Sequence, residues 1–127
     1  MIKKVDKLWH WKGWEISWSL SNHPSKESQI NILLIHGFGA SKNHWRNNQK
    51  VLGKSFNCYS IDLLGFGESS QPGALLKDES PKRNNVRYCF DLWSNQIIDF
   101  CKEIIKGPIF LVGNSIGGIV ALKAGEI

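Results

Sequence analysis

The residues whose types and spacing could carry chemistry gather in one pentapeptide, Gly113-Asn114-Ser115-Ile116-Gly117, a G-x-S-x-G pattern inside "FLVGNSIGGIVAL". An apolar run precedes the serine and the helix-compatible "IGGIVALKAG" follows, which places the hydroxyl at a sharp strand-to-helix turn. Glycine two residues to either side lets the two backbones approach without side-chain collision. A serine held there stands at a helix N-terminus, where unpaired N–H groups favour developing negative charge. That suits nucleophilic attack on a carbonyl. The plainer role is helix capping, for which serine is a common residue. A second glycine turn weighs against it: "HGFGAS", from His36 to Ser41, closes an earlier apolar run and can aim a backbone N–H at the same space.

Other constellations fall away. Gly65-Phe66-Gly67 lacks the third glycine of a dinucleotide fingerprint, because Ser70 stands there, and it leads into a loop. Gly53-Lys54-Ser55 resembles the end of a phosphate-binding loop, but Asn48 replaces the first glycine. No cofactor is expected. His36 is assigned to loop packing and hydrogen bonding, His44 to a helix, and His10 and His23 to flanking segments, so none is a good general base on sequence grounds. Asp62 ends an apolar run and is assigned to hydrogen bonds with nearby backbone. Three cysteines, Cys58, Cys89 and Cys101, have no C-x-x-C spacing and are read as buried free thiols, with no disulfide framework and no metal site.

The elements that must position Ser115 follow from hydropathy. Short continuous apolar runs predict strands at about 30–36, 56–63 and 109–114, buried on both faces as in a parallel sheet covered by helices. A further strand at about 14–20 is predicted from Trp14, Ile16, Trp18 and Leu20 alternating with Glu15, Ser17 and Ser19, one face to a core and the other to water. Trp9 and Trp11 receive no assignment. Helices are predicted at about 42–53, capped by Ser41, at about 88–106, stopped by Gly107-Pro108, and at about 116–125. Strand and helix alternate, so the fold class is α/β. The polar connection "SSQPGALLKDESPKRNNVR" reads as a lid or a mobile loop.

Bulk properties set the outer bounds. With 127 residues, 42% hydrophobic and 21% charged, the chain is one globular unit at most. Its net charge of +5, from 16 basic and 11 acidic residues, is scattered, so no nucleic-acid partner is expected. Neither a secretory signal nor a membrane-spanning stretch is evident, so a cytoplasmic setting without stable membrane insertion is expected.

Taken in order, "HGFGAS", "DLLGFGESS" and "GNSIGG" resemble the α/β-hydrolase superfamily, from about Trp14 onward. The resemblance implies Ser115 as nucleophile, with the backbone N–H groups of Phe38 and Ile116 as oxyanion donors and His36, Gly37, Gly39, Gly113, Gly117 and Gly118 as motif support. More narrowly, "YSIDLLGFGESS", "FDLWSNQIIDFCKEII" and "VGNSIGG" are similar to the pheophytinase-like branch of plants and cyanobacteria, which cleaves the phytyl ester of chlorophyll derivatives. The implied activity is that of a serine hydrolase acting on an apolar carboxylic ester through an acyl-enzyme.

Family members place an acid and then a histidine after the serine, and this chain stops one short helix beyond it. It is therefore expected to be the N-terminal half of the fold, inactive alone. The strand at 109–114 would be left as an apolar edge, and self-association through it is expected. Peroxyacid formation or C–C cleavage on the same fold is one alternative. A non-enzymatic binding fragment is another.

Overall fold

The computed structural model describes residues 2–25, 29–76, 80 and 85–126. Strands β1 (Lys3–Trp11) and β2 (Trp14–Asn22) form an antiparallel hairpin with Trp11 paired to Trp14. Its two turn residues, Lys12 (φ 50°) and Gly13 (φ 84°), both take the left-handed backbone that two-residue hairpins require. β2 pairs antiparallel with β4 (Asn57–Ile61), which lies parallel to β3 (Asn31–Ile35); β3 in turn lies parallel to β7 (Ile109–Gly113). The order is β1-β2-β4-β3-β7, a mixed sheet whose parallel part carries the glycine turns. In the connection from β4 to the next long helix, β5 (Gly73–Ala74) and β6 (Asn85–Val86) make a two-residue parallel bridge.

Helices cover both faces. Leu33 and Ile35, with Tyr59 and Ile61 beside them in register, pack against Trp93, Ile97 and Phe100 of α2 (Phe90–Phe100) and Val120 and Ala124 of α3 (Ile116–Gly125). The alternate residues Ile32, Leu34 and Cys58 face Trp45, Leu52 and Phe56 around α1 (Arg46–Leu52). Alternation along each central strand thus feeds two layers, as expected of strands buried on both faces. Phe100 joins the hairpin to the sheet, with its ring 5.4 Å from both Trp9 and Trp18. Burying a side chain of this kind stabilises by about 1.5–3 kcal/mol.

Several features differ from the sequence reading. β1 was not expected; it buries Trp9 and Trp11, whose indole N–H groups donate to Glu103 (2.7 Å), in the helical turn that follows α2, and to Asp99 (2.8 Å) on α2. The serine face of β2 does not meet water. Ser17, Ser19 and Ser21 are buried because α1 lies on them, with Gln49 Nε2 donating to Ser19 Oγ and to the Cys58 carbonyl at 3.0 Å each. Cys89 is exposed at the start of α2, while Cys58 is buried; all three thiols are free. The first helical segment opens as a 3-10 turn, Lys42–Trp45, on the Ser41 cap. α2 runs on through one π-helical turn, Cys101–Ile105, to a left-handed Lys106 (φ 57°) before Gly107-Pro108.

Candidate active site

Ser115 sits between β7 and α3 with φ 58° and ψ −122°, a conformation that residues bearing a Cβ rarely adopt. A capping serine would take extended backbone and accept from the first turn. Here the side chain makes no cap hydrogen bond and the residue is exposed. The turn is held by backbone instead: Asn114 N–H donates to Ile35 O (3.1 Å), Gly117 N–H to Asn114 O (2.9 Å) and Gly118 N–H to Ser115 O (3.0 Å). A Cβ on Gly113 would fall on the Gly117 carbonyl, and one on Gly117 would fall on the Ile35 and His36 carbonyls. Both glycines are demanded by close approach.

The loop after β3 passes directly alongside. A Cβ on Gly37 would stand 3.2 Å from both Asn114 O and Ser115 Cβ. Gly39 (φ 73°) turns the chain, closed by Ala40 N–H donating to Gly37 O at 3.2 Å. Among the described residues neither the Phe38 nor the Ile116 amide donates to another protein group. Ile116 opens α3, where the first N–H groups have no intrahelical acceptor.

His36 is not a base for Ser115. It is fully buried: Nδ1 donates to Gly37 O (2.8 Å) and Nε2 accepts from the Leu63 N–H (3.0 Å), which uses both nitrogens of a neutral ring. Burial holds its pKa below the ordinary value, only partly countered by the Gly37 carbonyl and the Asp62 charge. Asp62 is committed as well. Its carboxylate accepts from the Lys42 N–H (2.6 Å), the Lys42 ammonium (3.3 Å) and the Glu68 N–H (2.9 Å). Burial pulls the Lys42 pKa down, but Glu68, at 2.9 Å, and Asp62 outweigh it and hold the ammonium above its usual range. Among the described residues no histidine or carboxylate is hydrogen-bonded to Ser115, and no group of three or more His, Cys, Asp or Glu side chains is placed to hold a metal.

Two supporting side chains escaped the sequence reading. Lys42 is 2% exposed, tying the loop after β3 to the turn after β4. Gln96 accepts from the Leu64 N–H (2.9 Å) and donates to the Asp62 carbonyl (3.1 Å), while Trp93 Nε1 donates to Leu64 O (2.9 Å), so α2 clamps the same turn. The signal for Gln96 was a polar residue on the apolar stripe of α2, beside Trp93, Ile97 and Phe100. Lys42 left no such signal, since a lysine in a first helical turn reads as solvated.

Two openings adjoin the site. One, about 630 Å³, runs along Ser115, Gly113 and Gly118 to Phe110, Ile119 and Leu122. The other, about 390 Å³, lies beyond Phe38. A further opening, about 720 Å³ among Lys4, Arg46, Lys50 and Lys54, shares no residue with the elbow. No helix among the described residues is long and apolar enough to cross a membrane.

A model of the alpha/beta hydrolase fold matches residues 30–126, which takes in all three glycine turns. The chain belongs to the α/β-hydrolase family. Similar α/β-hydrolases include the chloroplastic pheophytinase of Arabidopsis thaliana, 29% identical, with 72% of this chain and 23% of that protein covered. A 2-hydroxy-6-oxo-6-(2'-aminophenyl)hexa-2,4-dienoic acid hydrolase of Metapseudomonas resinovorans is 32% identical, with 72% and 29% covered. Among solved structures, a serine hydrolase involved in carbazole degradation superposes with a TM-score of 0.75 at 27% identity, over 95% of this chain and 42% of that one. The chain spans less than a third of the length of these two curated α/β-hydrolases.

Proposed function

We propose that the chain supplies the nucleophile and oxyanion site of a serine hydrolase acting on apolar carboxylic esters. Ser115 Oγ attacks the acyl carbon and gives its proton to a base; the Phe38 and Ile116 amides receive the developing oxyanion; the alcohol leaves with that proton, and water then releases the acid. The observation that carries this reading is Ser115 itself, a non-glycine residue held at φ 58° at a strand-to-helix turn with a hydroxyl that caps nothing. The base and its acid partner come from outside the described residues, since His36 has both nitrogens occupied. Alone, the chain has at most the residual catalysis that an oxyanion site gives. Its similarity to pheophytinase favours a long apolar ester.

Imidazole added as an external base tests the assignment on the chain as it stands. A fluorophosphonate probe should label Ser115 at a rate that rises with imidazole, and Ser115→Ala should abolish labelling. Labelling that persists in Ser115→Ala, or that ignores imidazole, refutes the nucleophile assignment.

A further inference from the structure

The opening beyond Phe38 has a chemistry distinct from the rest of the surface. Its walls are the rings of Phe38, Phe66, Tyr88 and Trp93, with Gln71 and Pro72 at the rim. Phe66 stands nearly perpendicular to Phe38, at 5.6 Å and 78°, and its centroid is 5.8 Å from that of Trp93; Trp93 is 6.1 Å from Tyr88. These spacings lie within the range of edge and offset ring contacts, so the walls are already arranged as an aromatic cluster with one side open. Phe38 closes the outer side while leaving 76% of its own surface exposed, a large apolar residue without a covering partner.

Three side-chain donors around this cleft are already engaged within the protein. Tyr88 Oη donates to the Pro72 carbonyl, Trp93 Nε1 to Leu64 O at 2.9 Å, and Gln71 Nε2 to Gly67 O at 2.9 Å. An occupant bearing a hydroxyl or a charge against the ring walls would lose hydration and find these three donors already engaged. A flat hydrocarbon ring loses nothing of that kind and gains ring-edge and ring-face contacts. At about 390 Å³ the space is at the small end for organic ligands, which fits a one- or two-ring group and not a whole extended ester. The groove along β7 and α3 differs: apart from Phe110 its apolar wall is aliphatic, with Ile109, Leu111, Ile119 and Leu122.

We propose that the Phe38–Phe66–Tyr88–Trp93 cleft binds a planar aromatic or conjugated ring of the substrate, so that ring-bearing esters are favoured over saturated ones. This deepens the hydrolase reading and rests on it for one step only: the residue whose backbone N–H is assigned to the oxyanion also forms the cleft wall.

Fluorine NMR on the 127-residue chain tests the cleft with 1-fluoronaphthalene and, as the saturated comparison, fluorocyclohexane. Neither probe has an ester bond, so the result does not depend on Ser115 as a nucleophile. Saturable binding of 1-fluoronaphthalene is expected, at least five-fold tighter than that of fluorocyclohexane. Phe38→Ala should weaken it at least five-fold and Leu122→Ala should leave it unchanged; both side chains are exposed, and circular dichroism confirms that each variant is folded. Equal binding of the two probes, loss with Leu122→Ala in place of Phe38→Ala, or no saturable binding overturns the proposal. Intact ring binding with failed fluorophosphonate labelling would instead sink the nucleophile and leave the cleft standing.

Discussion

Replacing Ser115 by glycine should make the protein more stable. Ser115 holds φ 58° and ψ −122°, and a Cβ-bearing residue in such a region costs about 1–3 kcal/mol. Nothing offsets this locally, because the side chain caps no helix N–H and the residue is exposed. Glycine relieves the strain but adds freedom to the unfolded chain, worth about 0.5–1 kcal/mol in the other direction. The difference is a net gain of about 0–2.5 kcal/mol, centred near 1.2 kcal/mol. In urea, with a slope of about 2 kcal/mol/M, the midpoint should rise by roughly 0.6 M, and by no more than about 1.2 M. Ser115→Ala is the control: it keeps the Cβ and the strain, and its midpoint should match the parent within about 0.5 kcal/mol. A Ser115→Gly midpoint below the parent would refute the claim that the elbow is strained, and with it the reason for regarding this serine as placed for chemistry.

Asp62→Ala should cost about 3–5 kcal/mol, because it leaves the Lys42 and Glu68 N–H groups without their acceptor and the buried Lys42 ammonium with Glu68 alone, whereas Lys42→Met should cost less, since Asp62 keeps both backbone donors; equal midpoint losses in urea would contradict this. His36 should refuse a proton that the unfolded chain accepts. Its contribution to stability is therefore full above the ordinary imidazole value of about 6.5 and is lost as pH falls below it. The urea midpoint should drop from pH 7.5 to 5.5, and a proton NMR titration showing His36 at its ordinary value would overturn the assignment. Of the three thiols only Cys89 should react quickly with Ellman's reagent, because burial pushes Cys58 up to about 12 and Cys101 to about 11; a fast phase surviving Cys89→Ser would contradict the structure.

What was legible in the sequence was what depends on backbone reach and local period. The elbow could be read because Gly113 and Gly117 are needed for contacts between segments a few residues apart or on the neighbouring strand. β3 and β4 could be read because burial on two faces leaves a continuous apolar run; β7 has such a run too, but the expectation that it is buried on both faces fails, since it lies at the sheet edge with Phe110 and Val112 exposed. β1 was hidden because lysines at 3, 4 and 7 break the apolar alternation that Val5, Trp9 and Trp11 carry; Lys12-Gly13 between two tryptophans was the available hairpin signal. Ser17, Ser19 and Ser21 look the same whether a strand face meets water or a close-packed helix. The decision rests with Gln49, about thirty residues away. Lys42 is buried by partners twenty and twenty-six residues distant, and no local pattern announces such a pair.

One consequence follows from the position of β7 in the sheet. It bonds to β3 on one side, while among the described residues its other flank is bare and Phe110 and Leu122 are 66% and 74% exposed. Ser115 therefore stands at the tip of a strand hydrogen-bonded along a single edge, like the end of a cantilever. A strand or helix docked on the bare flank would stiffen that beam, and with it the Ser115 turn where the Gly37 backbone passes alongside.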